Sequence, residues 1–423
     1  MTTSVAGKHS AADAFVDING RSYAAPKHAT VIIVVDGFDP AYLEHGFANG
    51  TLPVMKSFKE RGFVGIADCS IPSTTNTNNT SIVTGVPPAV HGINGNYCLD
   101  PDTGQEIMII DASRLRCGTI LGALSGAGVE TAVITAKDKL LKVLAYKMSG
   151  INFSSEYARA ANLRDNKIDN VEKLVGRPQP DQYSAGLSLF VLDAGVAILS
   201  SFAPDLMYLS TSDYVQHKHA PGEPEADAYH HAVDAVLGKL IALGATVAVT
   251  ADHGMNDKSA SDGTPNVIYL EDELNSHFSA GAVRVICPIA DPFVQHHGAL
   301  GSFVRVHLRR PGNLQAMMAF CRGLLGVELV LDRQQVCEQF DLPLDREGDF
   351  AVFSNRSTVV GARREDHDLS QLAGNRLRSH GGLGEQKVPF LLSRRLKAKY
   401  SRRAAAAPLH NYDIFDFALN GVD

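Results

Sequence analysis

The chain has no tryptophan, and Phe and Tyr make up only 7% of its 423 residues. Large aromatic slots for stacking a nucleobase or aryl group are therefore disfavoured. The six cysteines (Cys69, Cys98, Cys117, Cys287, Cys321 and Cys337) are scattered with no close pair. That argues against a disulfide framework or a thiolate metal site and suits reduced thiols in a cytoplasm. Any metal should then be held by nitrogen and oxygen ligands. Basic residues are outnumbered, giving a net charge of -7, which is unlike a general nucleic-acid binder. A small anionic substrate stays open, because a metal site can override the global charge locally. No apolar run reads as a membrane span. The start, Met1 to Phe15, is polar and lacks a signal-like segment, so a cytoplasmic location and no membrane partner are expected.

What is present is an ordinary globular composition, 45% hydrophobic and 20% charged, in a chain longer than one average domain. Residues 1–27 read as an arm and a small hairpin turning at Asn19-Gly20. From residue 28 to 262, continuous Val/Ile/Leu runs alternate with helical stretches. Strands are expected at 30–35, 63–68, 131–135, 206–210 and 246–250. Helices are expected near 52–61, after Thr75 as far as Gly85, at 113–127, 184–202 and 224–243. This is the pattern of an α/β fold with a mostly parallel sheet covered on both faces. Between 263 and 367 the rhythm changes. Strand-like runs at 266–270, 283–286 and 303–308, a helix at 313–325 and a charged stretch suggest an inserted α+β cap. The core style returns over 368–423, with a strand at Val388–Leu392.

Four polar signatures each follow or flank such a run: Asp36; Asp213 with His217; Asp252-His253-Gly254; and His380-Gly381-Gly382. In open α/β sheets ligands gather at the carboxyl ends of strands, so one rim would collect them. Asp213 and His217 share a face if the chain turns helical there, and His219 falls elsewhere. Singly, each residue reads as well as a cap or turn former. Jointly, three carboxylates, three imidazoles and a hydroxyl suit two-metal hydrolysis at phosphorus. The hydroxyl comes from the run Ser73–Thr80, where a helix N-terminus favours a phosphoryl oxyanion. Position alone does not separate Thr74, Thr75 and Thr77.

These residues resemble the alkaline phosphatase superfamily, and within it the nucleotide pyrophosphatase/phosphodiesterase branch. The resemblance rests on Asp36, Thr75-(x)2-Asn78-(x)2-Ser81-Ile82-Val83-Thr84-Gly85, His91-Gly92-Ile93, Asn96, Asp213-(x)3-His217, Asp252-His253-Gly254-Met255 and His380-Gly381. It implies an alkaline phosphatase-like core and Thr75 as nucleophile, ten residues before Gly85. It also implies that Asn96 helps hold the transferred group. One zinc would sit on Asp213, His217 and His380, and a second on Asp36, Asp252, His253 and the Thr75 hydroxyl. The branch usually has Pro-Asn-His where this chain has Thr77-Asn78-Asn79, which bears on substrate rather than on the ligands.

The substrate is read from Thr135-Ala136-Lys137-Asp138-Lys139, at the end of another expected strand. Two lysines two apart in extended chain point the same way, although a solvated helix start would have the same sequence. The segment resembles that of the phosphonoacetate hydrolases of this superfamily, where paired lysines bind the substrate carboxylate. Asp291-Pro292-(x)3-His296-His297-Gly298 resembles that group too, with His296 or His297 closing over substrate and a plain cap turn an equal alternative. The expectation is a two-zinc hydrolase acting on a small phosphonate, compatible with a homodimer. Rivals are a nucleotide or aryl phosphodiesterase, a phosphoglycerate mutase-like isomerase, and a binding module that has lost activity.

Overall fold

A computed structural model describes residues 15–291, 297–372 and 374–423. Its centre is an eight-stranded sheet in the order Leu409–His410, Phe63–Asp68, Lys387–Leu392, Thr246–Thr250, Thr30–Val34, Leu206–Ser210, Thr131–Thr135, Ile151–Ser154. All neighbours are parallel except Lys387–Leu392, which opposes both of its own. The strands Thr30–Val34, Leu206–Ser210, Thr246–Thr250 and Thr131–Thr135 are buried at every position. That is why they read as unbroken apolar runs rather than alternating ones. Helices Pro53–Arg61, Ala185–Phe202 and Pro224–Ala242 help cover the sheet.

Several details depart from the expectations. The helix expected at 113–127 is a short turn, Ala112–Arg114, followed by the helix Ile120–Gly126. The Thr119 hydroxyl caps that helix by accepting from the Gly122 N–H. The helix Ala185–Phe202 is, by length and composition, long and apolar enough to cross a bilayer, contrary to the expectation that no run would be. Half of it is buried inside the molecule.

A second sheet follows the core strands up to Thr250: Val283–Ile286, Phe303–Leu308, Phe350–Ser354 and Val327–Asp332 are antiparallel in that order. Val267–Tyr269, expected in this sheet, instead pairs in parallel with Val359–Gly361. One face packs Val304, Val306 and Val352 with residues of helices Leu270–His277 and Leu314–Arg322. The other packs Phe303 and Phe353 with helix Arg333–Phe340 and with Ile71, shortly before Thr75. Asn256–Asp257 pairs with Arg378–Ser379 across the segment that holds this second sheet. There the buried Lys258 ammonium donates to Glu385, Ser302 and the Arg356 carbonyl.

Candidate metal centre

The central strands end level. Val34 stands opposite both Thr250 and Ser210, and Ser210 opposite Thr135. Ladder bonds run one step further, from Val35 N to Thr250 O, Thr211 N to Val34 O and Ala136 N to Ser210 O. Asp36, Asp213, Asp252-His253 and Lys137 therefore emerge side by side. Close approach needs a small residue after Asp36. Gly37 has φ 70°, and a Cβ there would meet the side chains of Asp213, Gln216 and Met255 at 3.3 Å. His217 follows on the short helix Tyr214–Lys218, and His380 comes directly after the two-residue strand Arg378–Ser379.

Two buried groups result, Asp213 with His217 and His380, and Asp36 with Asp252 and His253. Within each, the ligand atoms lie within 4.8 Å of one another. All three imidazoles are oriented alike. Their Nδ1 atoms meet backbone carbonyls: His217 that of Arg378 (2.7 Å), His253 that of Gly254 (2.9 Å) and His380 that of Ser73 (2.7 Å). Donating from Nδ1 leaves Nε2 as the metal-facing lone pair. The His217 Nε2 lies 2.9 Å from Asp213 Oδ2. The His253 Nε2 lies 3.2 Å from Asp36 Oδ1, an oxygen with no hydrogen-bond donor. Ring nitrogens turned toward buried carboxylate oxygens fit a divalent cation held by each group.

Electrostatics agree. Burial, with Asp36 close by, pushes the Asp252 carboxyl up to about 8. Burial would depress the His253 imidazole, but the Asp252 and Asp36 carboxylates raise it to about 9. His380 is driven down by burial and by His253 and His217. Added positive charge is what so many buried carboxylates require.

The geometry separates the threonines. Thr75, first residue of the helix Thr75–Thr84, has its hydroxyl 3.4 Å from His253 Nε2. Thr74 and Thr77 hydroxyls bond each other. Asn96 lies against the same helix start: its Oδ1 accepts from Asn76 N–H, and its amide donates to Ile289 O. His91 is structural, with Nε2 on Ser81 and Nδ1 accepting from Ile93 N–H. His219 lies outside the site, beside Glu223 and Glu225.

Only one of the two lysines is in extended chain: Lys137 is extended (φ -103°, ψ 117°), while Lys139 is helical. Lys137 caps, and Lys139 belongs to, the helix Asp138–Leu144, yet both ammoniums turn inward. Lys137 Nζ lies 2.9 Å from Asp36 Oδ2 and 3.0 Å from Asp213 Oδ1, bridging the two groups. Burial would lower its pKa, but Asp213 and Asp36 more than reverse this. Lys139 pairs with Asp291 and is lowered by burial. His297 is buried, its ring 5.2 Å from that of His217 and its imidazole pushed down to about 3 by burial and by His217. His296 lies outside the described residues.

One contributor went unread. The Asn79 amide donates to Asp252 Oδ2 and to Thr75 O, while its oxygen accepts from Tyr208 and Ser210. Its place four residues after Thr75, one helical turn on, was the available signal.

Residues 30–371 match the family model for type I phosphodiesterase / nucleotide pyrophosphatase. The chain belongs to this family. A phosphonoacetate hydrolase from Sinorhizobium meliloti 1021, solved with phosphonoformate, is 45% identical with a TM-score of 0.91. The match covers 96% of this chain and 98% of that one. Murine ectonucleotide pyrophosphatase/phosphodiesterase 5 shares the fold at 16% identity and a TM-score of 0.62, over 92% and 94% of the two chains. A fungal phosphonoacetate hydrolase from Penicillium oxalicum is 62% identical over 47 residues, 11% of this chain and 65% of its own. An uncharacterised pyrophosphatase/phosphodiesterase from Schizosaccharomyces pombe is 27% identical over 62% of this chain, a match spanning half of that relative's length.

Proposed function

We propose that the protein is a two-zinc hydrolase that cleaves the C–P bond of phosphonoacetate, giving acetate and phosphate through a phospho-threonine. The observation that carries this reading is the Lys137 ammonium, set between Asp36 of one ligand group and Asp213 of the other, with Lys139 beside it. The likeness to the Sinorhizobium enzyme supports it.

Asp213, His217 and His380 would hold one zinc, and Asp36, Asp252 and His253 the second, near the Thr75 hydroxyl. Bound there, zinc would supply Lewis acidity that activates the hydroxyl and offsets the phosphonate charge. Thr75 Oγ1 attacks phosphorus, and the O–P bond forms as the C–P bond breaks. The electron pair goes to the α-carbon, where the carboxylate spreads it as an enediolate. Lys137 and Lys139 hold that carboxylate through charge-assisted bonds that strengthen as the charge develops. Asn96 and the start of helix Thr75–Thr84 hold the phosphoryl oxygens. The α-carbon takes up one proton for the one lost from Thr75, and water then hydrolyses the phospho-threonine. His297 lies beside His217 where a bound substrate would pass, and residues 263–367 act as the cap over the core. The six free cysteines suit a cytoplasmic setting.

A phosphate-release assay on zinc-loaded protein, with phosphonoacetate beside a nucleoside aryl phosphodiester, tests the reading. Turnover of the phosphonate well above the diester is expected. The reverse ranking would make the protein a phosphodiesterase.

A further inference from the structure

Lys258 and Glu385 form an ion pair at 2.8 Å with both side chains fully buried. Such a pair rarely stabilises a fold more than an apolar pair of similar size, and its best-attested use is to fix one arrangement among several. Here both partners bond to segments that carry the candidate metal ligands. The Glu385 Oε2 accepts from the Gly382 N–H (3.2 Å), two residues after His380. The Lys258 ammonium donates to the Ser302 hydroxyl (2.7 Å), and the Ser302 N–H donates to the His380 carbonyl (3.0 Å). His380 is thus held through both members of the pair. The Glu385 carbonyl also accepts from the Gly254 N–H (2.7 Å), and the Gly254 carbonyl meets the His253 Nδ1 (2.9 Å). These turns pack without slack. A Cβ at Gly382 would meet the Ser302 Cβ at 2.7 Å, and one at Gly254 the Glu385 carbonyl at 3.2 Å. His253 and His380, from different ligand groups, end face to face, with ring centroids 3.5 Å apart and planes 8° apart.

We infer that the Lys258–Glu385 pair is a positioning unit for both ligand groups, setting His253 and His380 against each other at once. The inference rests on the two-zinc reading above and names residues whose part is to place the ligands rather than to bind zinc. The strand before His380 is only two residues long and gives the turn that follows little support of its own. Glu385 reaches that turn through its side chain and the His253 turn through its backbone, so displacing it disturbs both groups together.

The test measures the affinity of each zinc-binding step by chelator competition, beside thermal melting of the metal-free protein. Wild type is compared with Glu385→Gln and with the paired variant Lys258→Met/Glu385→Leu. Glu385→Gln puts an N–H where a carboxylate oxygen accepted, and should weaken both steps by about 10- to 100-fold. The paired variant fills the same space with apolar groups and should melt within a few degrees of wild type. Both of its zinc steps should nonetheless stay weakened by about tenfold or more. Unchanged steps in Glu385→Gln, weakening of one step alone, or wild-type zinc affinity in the paired variant overturns the inference. So does a paired variant that melts far below wild type, which would make the pair a support of the fold as a whole. If Glu385→Gln does not fold, the paired variant decides. If wild type itself does not take up two zinc ions, the two-zinc reading falls and takes this inference with it.

Discussion

The two ligand groups are chemically similar and architecturally different. Asp36, Asp252 and His253 all emerge from the adjacent strands Thr30–Val34 and Thr246–Thr250, all fully buried. Asp213, His217 and His380 combine a strand end, a short helix and a segment more than 160 residues further along the chain. The first group is held by sheet hydrogen bonds and Asn79. The second depends on tertiary contacts, chiefly Arg378. That side chain donates to Gln216 O and the Tyr42 hydroxyl, while its carbonyl accepts from His217. The sheet sets the place of the group beside Thr75; the chain returning at Arg378–Ser379 sets the place of the other.

The sharpest way to separate the groups is Thr75→Ala, which removes the hydroxyl near the first group and leaves every carboxylate and imidazole in place. Turnover should fall on the order of 10³-fold or more, while metal analysis still finds two ions per chain. Loss of an ion with the hydroxyl would mean Thr75 is needed as a ligand rather than only as the nucleophile.

Lys137→Ala combined with Lys139→Ala tests what lies between the groups. We expect a loss of about 10²-fold in kcat/KM on phosphonoacetate, from two charge-assisted contacts, and a much smaller loss on an activated aryl phosphate. Equal losses on both substrates would remove the lysines from carboxylate binding.

The smallest effects probe the supports themselves. Asn79→Ala should weaken metal binding at the first group by about 10- to 100-fold, the usual cost of losing a residue that orients a ligand. Arg378→Lys, which keeps the charge and loses the planar fork, should weaken the second group by a similar or smaller factor. Stepwise zinc titration with a chromophoric chelator distinguishes them. Each variant should soften one of the two binding steps, and softening of both by either would show the groups to be one cooperative unit.

Those supports also mark where the sequence was hard to read. Asp36, Asp213 and Asp252-His253 were legible because buried parallel strands are unbroken apolar runs whose ends are conspicuous. The core sheet and the alternating helices were legible for the same reason, and the family through the resemblance of the polar motifs from Asp36 to His380-Gly381; the family model and the Sinorhizobium structure bear them out. The strands Val327–Asp332 and Phe350–Ser354 fell inside what read as a charged stretch. Val327–Asp332 is an edge strand with half-exposed positions, and so carries polar residues. Asn79 and Asp291 were seen as residues and given no role, since each acts on a partner far away in the chain: Asp252 and Lys139. Lys137 and Lys139 were paired on an assumption of extended chain. That assumption holds for Lys137 but not for Lys139, which lies in the first turn of the helix Asp138–Leu144; the inward turn of both ammoniums comes from Asp36, Asp213 and Asp291.

The level ends of the central strands carry a consequence for how this chain can change. Each strand residue advances about 3.3 Å and reverses the side-chain face. Deleting one residue from Thr30–Val34 would pull Asp36 back by more than a coordination bond and turn it toward the wrong layer. Strand length is thus a shared dimension: none of the ligand-bearing strands can be shortened alone. Changes of length are accommodated more easily in the connections at the opposite edge than within these strands.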